Sequence, residues 1–213
     1  METKKINILV KKFGKYIREI SVIVAGVAIT LFASYWLNLR NEKRDVALYM
    51  DAIKMELEEN IKKIDDNMEF LQQEAKYYDY LRLNDKKKLS LDTIVANFGS
   101  NVWYVWTPSF YTDAFDMFKL SGFMRLMDDK GLLLSIWKVY SQLDILTSTF
   151  QEASKWKIDE IKQEMLIRSQ EGQFHDIFMY NYYTTPWPRN LLSDSEITLE
   201  MLREIVKKLE EVS

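Results

Sequence analysis

Groups able to do acid–base chemistry occur as Glu56, Glu58 and Glu59, as Asp65 and Asp66, and as Asp128 and Asp129. Two carboxylates act as a catalytic pair only when held near each other and near a substrate, and neighbours in a helix diverge by about 100° per residue. All three groups therefore read as solvated helical faces. The single histidine, His175, lies among aromatic residues, and one imidazole in a chain with no cysteine makes a poor zinc site. It reads as structural or exposed. The lack of cysteine also excludes a disulfide framework, a lipoprotein anchor and a thiol nucleophile. No Gly-x-Gly or Gly-Lys-Ser/Thr motif is present to cradle a phosphate, which argues against nucleotide hydrolysis. No catalytic residue, cofactor-binding residue or metal ligand is assigned, no small-molecule substrate is expected, and the chain reads as a non-enzyme.

If chemistry does not organise this sequence, its apolar pattern does. Residues 20–39, "ISVIVAGVAITLFASYWLNL", carry no charge, and at about 1.5 Å per residue they span about 30 Å, the hydrocarbon thickness of a bilayer. A soluble core helix of that length would show a polar stripe. A cleaved export signal would want small residues at the first and third positions before its cut, but Ala33 and Ser34 are preceded two residues earlier by Leu31 and Phe32. A retained transmembrane helix is the expectation. Residues 1–19 hold six basic and two acidic side chains, while residues 40–213 hold 23 basic and 30 acidic ones. Positive flanks stay in the cytoplasm and suit its anionic lipid headgroups. The expected organisation is thus a basic cytoplasmic arm at 1–19, a single-pass span at 20–39 in a bacterial inner membrane, and a periplasmic helical domain at 40–213. The acidic exported part excludes nucleic acid as a partner.

Within the span Gly26, Thr30 and Ser34 recur every four residues, placing small side chains on one face where helix backbones can approach closely in lipid. Chance would produce the same spacing, since small residues are frequent in spans. Tyr16 near the inner boundary, with Tyr35 and Trp36 near the outer one, are the expected interfacial anchors in membrane lipid.

The segment "EISVIVAGVAITLFASYWLNLRNEKR" resembles the span of a family of uncharacterised bacterial single-span inner-membrane proteins, known as a domain of unknown function. Glu19, Gly26 and Trp36 fall in the matching places without gaps. Further on, "TPSFYTDAFDMFKLSGFMRLMDDKGLLLSIWKVY" is similar to that family at Pro108, Ser109, Ser121, Gly122, Leu126, Asp128 and Trp137. The chain departs from the family pattern at Arg18, Phe32, Ser34 and Tyr35. The resemblance implies an inner-membrane anchor with a helical periplasmic region, and it brings no activity or catalytic residue with it.

After the span, apolar or small residues at Val46, Met50, Ile53, Leu57, Ile61, Ile64, Met68, Leu71, Ala75 and Tyr78 follow steps of three and four, a coiled-coil spacing with one irregularity. No Gly or Pro interrupts from Val27 to Phe98, so the span is expected to continue into a long helical rod ending at the polar turn 84–90. A short helix is expected near 91–98. Thr107 as cap and Pro108 at the first position should start the next helix, closed by Gly122. Asp128 or Asp129 should cap a second long helix to about Gln170, with Lys157 breaking its apolar stripe. The fold class is all-α, with the two long helices packed antiparallel in a bundle and shorter helices added, the last starting near Ser193 or Thr198.

Aromatic residues gather at Trp103, Trp106 and Tyr111 and again at Tyr182 and Trp187. Two readings fit: a partner or ligand surface, since Trp and Tyr favour interfaces, or simple packing of the connecting segments onto the bundle. Two function classes follow. One is a membrane-anchored scaffold or accessory subunit of a larger complex, acting through helix association as a homo-oligomer or hetero-complex member. The alternative is a periplasmic ligand-binding sensor, which would need a partner protein to signal because nineteen cytoplasmic residues hold no output domain.

Overall fold

The computed structural model describes residues 2–83, 96, 104–171 and 185–212. Contacts divide the chain into two compact units, Met1–Leu48 and Tyr49–Ser213. Helix α1 covers Glu2–Leu83, and every regular element among the described residues is helical. In the first unit, residues 20–39 are exposed throughout and form a stretch long and apolar enough to cross a membrane.

The second unit is built on the seam of α1. Ile53, Leu57, Ile64 and Leu71 are fully buried, as the three-four spacing requires. From 104 to 112 the chain has no helix, which corrects the expected start at Thr107 and Pro108. Helix α2 instead covers Asp113–Ser121 after Thr112 and ends, as expected, at Gly122, whose φ of 75° lies in the left-handed region that glycine tolerates. A 3₁₀ turn at Phe123–Leu126 leads to α3, Lys130–Glu171. Asp129 caps α3, accepting from the Leu132 N–H at 2.8 Å. The last helix, α4, covers Trp187–Val212 and begins earlier than Ser193. Pro186 and Pro188 read in sequence as breakers, yet proline fits the first helical turn, and the Asn190 N–H bonds to the Pro186 carbonyl at 2.9 Å.

The direction of packing differs from the antiparallel arrangement expected. The Tyr140 hydroxyl donates to Glu56 Oε1 at 2.5 Å, and Lys157 Nζ donates to Glu74 Oε2 at 3.0 Å. Numbers rise together on both helices, so α1 and α3 lie against each other in parallel. The return leg is the non-helical segment: Tyr104 meets Phe70, Ser109 meets Lys63, Tyr111 meets Asn60 and Ala114 meets Glu56. Fourteen residues of α1 cover about 21 Å, and ten residues of non-helical chain, which reach up to about 3.3 Å each, retrace that length without being fully extended. The chain thus returns to Tyr49, whose ring lies 5.5 Å from that of Phe118 on α2 and 5.8 Å from that of Phe123 in the turn that leads to α3. Helix α4 runs antiparallel to α1 through the ion pairs Asp79–Arg189, Asp65–Arg203 and Lys54–Glu210.

Leu57→Asp or Leu143→Asp would place an unpaired carboxylate in the fully buried seam, at an expected cost of about 4 kcal/mol or more. Either change should abolish the cooperative thermal transition seen by circular dichroism of the detergent-solubilised protein. Met55→Asp, at an exposed position of the same helix, should preserve it.

Candidate functional site

The most unusual local chemistry surrounds the strap, residues 104–112, which lies along α1 and α3 with no ladder of its own. Buried backbone polar groups must find partners, and here side chains supply them. Asn60, wholly buried on α1, offers Nδ2 to the Tyr111 carbonyl at 2.8 Å and receives the Tyr111 N–H on Oδ1 at 2.9 Å. Lys63 Nζ donates to the Ser109 carbonyl at 2.6 Å and stands 3.2 Å from the centre of the Tyr111 ring, a cation–π contact. Ser154 on α3 donates to the Trp106 carbonyl at 3.2 Å, and Lys157 donates to the Tyr104 carbonyl at 2.7 Å.

Two carboxylates complete the cradle. Glu56 accepts the Ala114 N–H on Oε2 at 2.7 Å and the Tyr140 hydroxyl on Oε1, which places it at the positive start of α2. Its expected place on a solvated face is thereby corrected, whereas Glu58 and Glu59 are exposed. Glu74 pairs with Lys157, the two side chains only 6% and 3% exposed. Burial lowers the Lys157 pKa, and the Glu74 charge opposes that shift. Burial raises the Tyr140 phenol, and the Glu56 carboxylate raises it further, so this hydroxyl stays a donor. Lys157 is thus no break in the stripe but a buried charged member of it, as is Glu160 one turn on.

The aromatics of the strap pack. Trp106 meets Phe150 edge-on at 4.7 Å between centroids, and Tyr104 meets Phe70 in the same way at 4.9 Å. The cavity beside Phe70, Tyr104, Trp106 and Lys157 measures about 20 Å³, room for one water and not for a small organic ligand. Tyr111 is half exposed under Lys63, and Trp187 is half buried in the first turn of α4. Trp103, Tyr182, His175 and the expected helix near 91–98 lie outside the described residues, apart from residue 96, which is helical. Trp106 packs on Phe150, Tyr111 lies at the edge of the strap under Lys63, and Trp187 opens α4, whose Pro188 and Leu191 line the same small cavity as Trp106.

In the first unit Gly26, Thr30 and Ser34 share an exposed face, and Thr30 Oγ1 donates to the Gly26 carbonyl at 2.9 Å. Nothing lies within 4 Å of the place a Gly26 Cβ would take. Tyr16, Tyr35 and Trp36 are exposed, with the Arg40 guanidinium 5.7 Å from the Trp36 ring. Among the described residues no group of three or more His, Asp or Glu side chains converges as a metal site.

Sequence reasoning missed Asn60 and Lys63, which hold the strap, and Glu74, which pairs with Lys157; Glu56 was named but read as solvated. All four lie one position ahead of Leu57, Ile61, Ile64 and Ala75, a polar stripe running beside the apolar one. That second stripe was the available signal.

Lys157→Met alone should leave Glu74 charged and buried, costing about 3–5 kcal/mol in chemical denaturation, while Lys157→Met with Glu74→Leu should recover most of that loss. Equal destabilisation of the single and double variants would show that the Tyr104 carbonyl, not the ion pair, governs the site. Compared with known proteins, the chain matches no family model, no curated protein and no solved structure, so its own residues carry the functional reading.

Proposed function

We propose that this protein is a non-enzymatic scaffold or accessory subunit of a bacterial envelope complex, held in the inner membrane by residues 20–39 and acting through helix association. The supporting observation is the exposure of twelve large apolar side chains between Ile20 and Leu39. At about 1.5 kcal/mol or more for each such side chain, leaving them in water forfeits roughly 20 kcal/mol, which a bilayer recovers. Ile and Val, three of each in this stretch, form helices weakly in water, while lipid requires every backbone group to be satisfied within the segment. The basic arm before the span and the acidic balance after it favour a cytoplasmic amino terminus and a periplasmic bulk.

Association has its first support in the Gly26, Thr30 and Ser34 face. An added side chain at Gly26 meets nothing within the chain, so its effect would be felt only by a neighbour. The tightly filled strap offers no volume for a sensor's ligand beside Lys157.

Compartment-reporting fusions should place Ser213 outside the cytoplasm and Met1 within it, and the protein should resist alkaline extraction from membranes. A cytoplasmic carboxy terminus would refute the orientation, and release by alkali would refute the span. Gly26→Leu should reduce crosslinked assemblies in membranes several-fold, whereas Val27→Leu, on another face, should not. Equal behaviour of the two would remove the span from the association.

A further inference from the structure

The end of α2 and the turn after it are apolar where a connection between helices would be polar. Met117 and Leu120, one turn apart on α2, are 60% and 88% exposed, and past Gly122 the partly exposed Phe123, Met124 and Leu126 follow. These are not single leucines scattered on a polar helix but a run. From Met117 to Met127 the chain holds no carboxylate, and its only charges are those of Lys119 and Arg125. Lys130 Nζ holds the turn in shape by donating to the Arg125 carbonyl at 3.1 Å.

The place of this run in the second unit follows from its contacts with α1. The Ala114 N–H meets Glu56 and the Phe118 ring meets that of Tyr49, so α2 runs antiparallel to α1 and carries Leu120 to the end of the unit at Tyr49. The Phe123 ring, 5.8 Å from that of Tyr49, lies at the same end. Tyr49 is where the chain enters the unit, and it stands ten residues of α1 after Leu39, the last of the apolar stretch. That is a reach of about 15 Å, of which lipid headgroups fill about 5–7 Å. Whatever angle the joint takes, this tether keeps the run's end of the unit close to the bilayer surface.

We propose that residues 117–126 seat in the headgroup region of the bilayer that holds residues 20–39, as a second and reversible membrane contact. Met117, Leu120 and Phe123 enter the boundary between headgroups and acyl chains, as the apolar side chains of interfacial segments do. The Arg125 guanidinium extends on its stem to lipid phosphate, while the Lys119 charge is balanced by Asp116 at 2.5 Å. Charge selects lipid as the occupant, because phosphate meets one excess cation in this run and no carboxylate. A few side chains would bind lipid weakly from solution, but the span holds them beside it at high effective concentration. The inference rests on the membrane anchor proposed above, and it adds a lipid-binding site on the second unit.

The chain has no cysteine, so single introduced thiols can carry a nitrobenzoxadiazole probe on the full-length protein in phosphatidylethanolamine–phosphatidylglycerol vesicles. Lipid bearing a nitroxide near the headgroup end of its acyl chain should quench a probe at Leu120→Cys several-fold more than one at Ile197→Cys. Ile197 is also apolar and exposed, but it lies on α4 between the partners of Asp65 and Asp79, more than about 24 Å along α1 from Tyr49. Met117→Glu with Arg125→Glu should cut the quenching at position 120 several-fold, and an unchanged melting temperature would certify the fold. A probe at Val27→Cys, inside the span, should be quenched by a nitroxide at the far end of the acyl chain and reports the anchor separately. Quenching at 27, with 120 no stronger than 197, would overturn the proposal and leave the anchor intact. Loss of quenching at 27 would overturn both. A probe at 120 that is blue-shifted yet unquenched by lipid would mean that protein covers the run, and would also overturn the proposal.

Discussion

Nine residues of non-helical chain without a ladder lie part-buried against a helical unit, and finding partners for the backbone groups they turn inward governs the second unit. An unpaired buried amide or carbonyl costs about 1–3 kcal/mol, so each such group left unbonded would take a sizeable part of a domain's marginal stability. The flanking helices answer with one side chain after another: Asn60 and Lys63 from α1, Ser154 and Lys157 from α3, while Glu56 receives the Ala114 N–H in the first turn of α2. Asn60 is the most exacting of these. Its amide copies the donor and acceptor pair that a neighbouring strand would present, and no apolar residue or carboxylate of similar size could do both.

This requirement also explains why a buried lysine is retained. Desolvating Lys157 and Glu74 is costly, and well-packed apolar residues in their place are often as stable or more so. Lys157, however, has a second task, since its ammonium holds both the Glu74 carboxylate and the Tyr104 carbonyl. Sliding the strap by one residue would take the Tyr104 carbonyl from Lys157 and move Trp106 from Phe150. The polar pairs therefore set register, while the apolar seam supplies most of the stability. Register in turn sets topology, because the strap's fixed course brings the chain back to Tyr49 before α3 begins and makes α1 and α3 parallel.

The helices were legible because their signals are local. The stripe from Met50 to Tyr78, the Asp129 cap and the glycine after α2 each depend on residues a turn apart. The strap was not, because nothing within 104–112 marks it as non-helical: Thr107 and Pro108 are as good a helix start as the chain offers. What prevents a helix there is the set of partners forty to fifty residues away on α1 and α3. The same non-locality hid the direction of α3, which follows from the strap's reach and not from either long helix. For the candidate site, Trp106 was picked out by type, but its role is packing, and the polar residues that matter looked like an ordinary solvated face until their partners were in place.

The flanks of the bundle contrast with the first unit in how apolar surface is left uncovered. Helix α4 turns Leu199, Leu202, Ile205 and Leu209 inward and presents mostly charged residues outward, among them Glu196, Glu200, Arg203 and Lys207. That is the pattern of a helix whose outer side meets water. Helix α3 has the same one-sided core but sets Leu134, Ile145 and Trp156 on the side away from it. These three contribute little to the unit's own packing, as does the exposed Ile197 on α4, and such singly placed apolar side chains are ordinary on a folded surface. The stretch 20–39 is exposed along its whole length and is long and apolar enough to cross a membrane, whereas on α3 the exposed apolar side chains stand singly among polar ones.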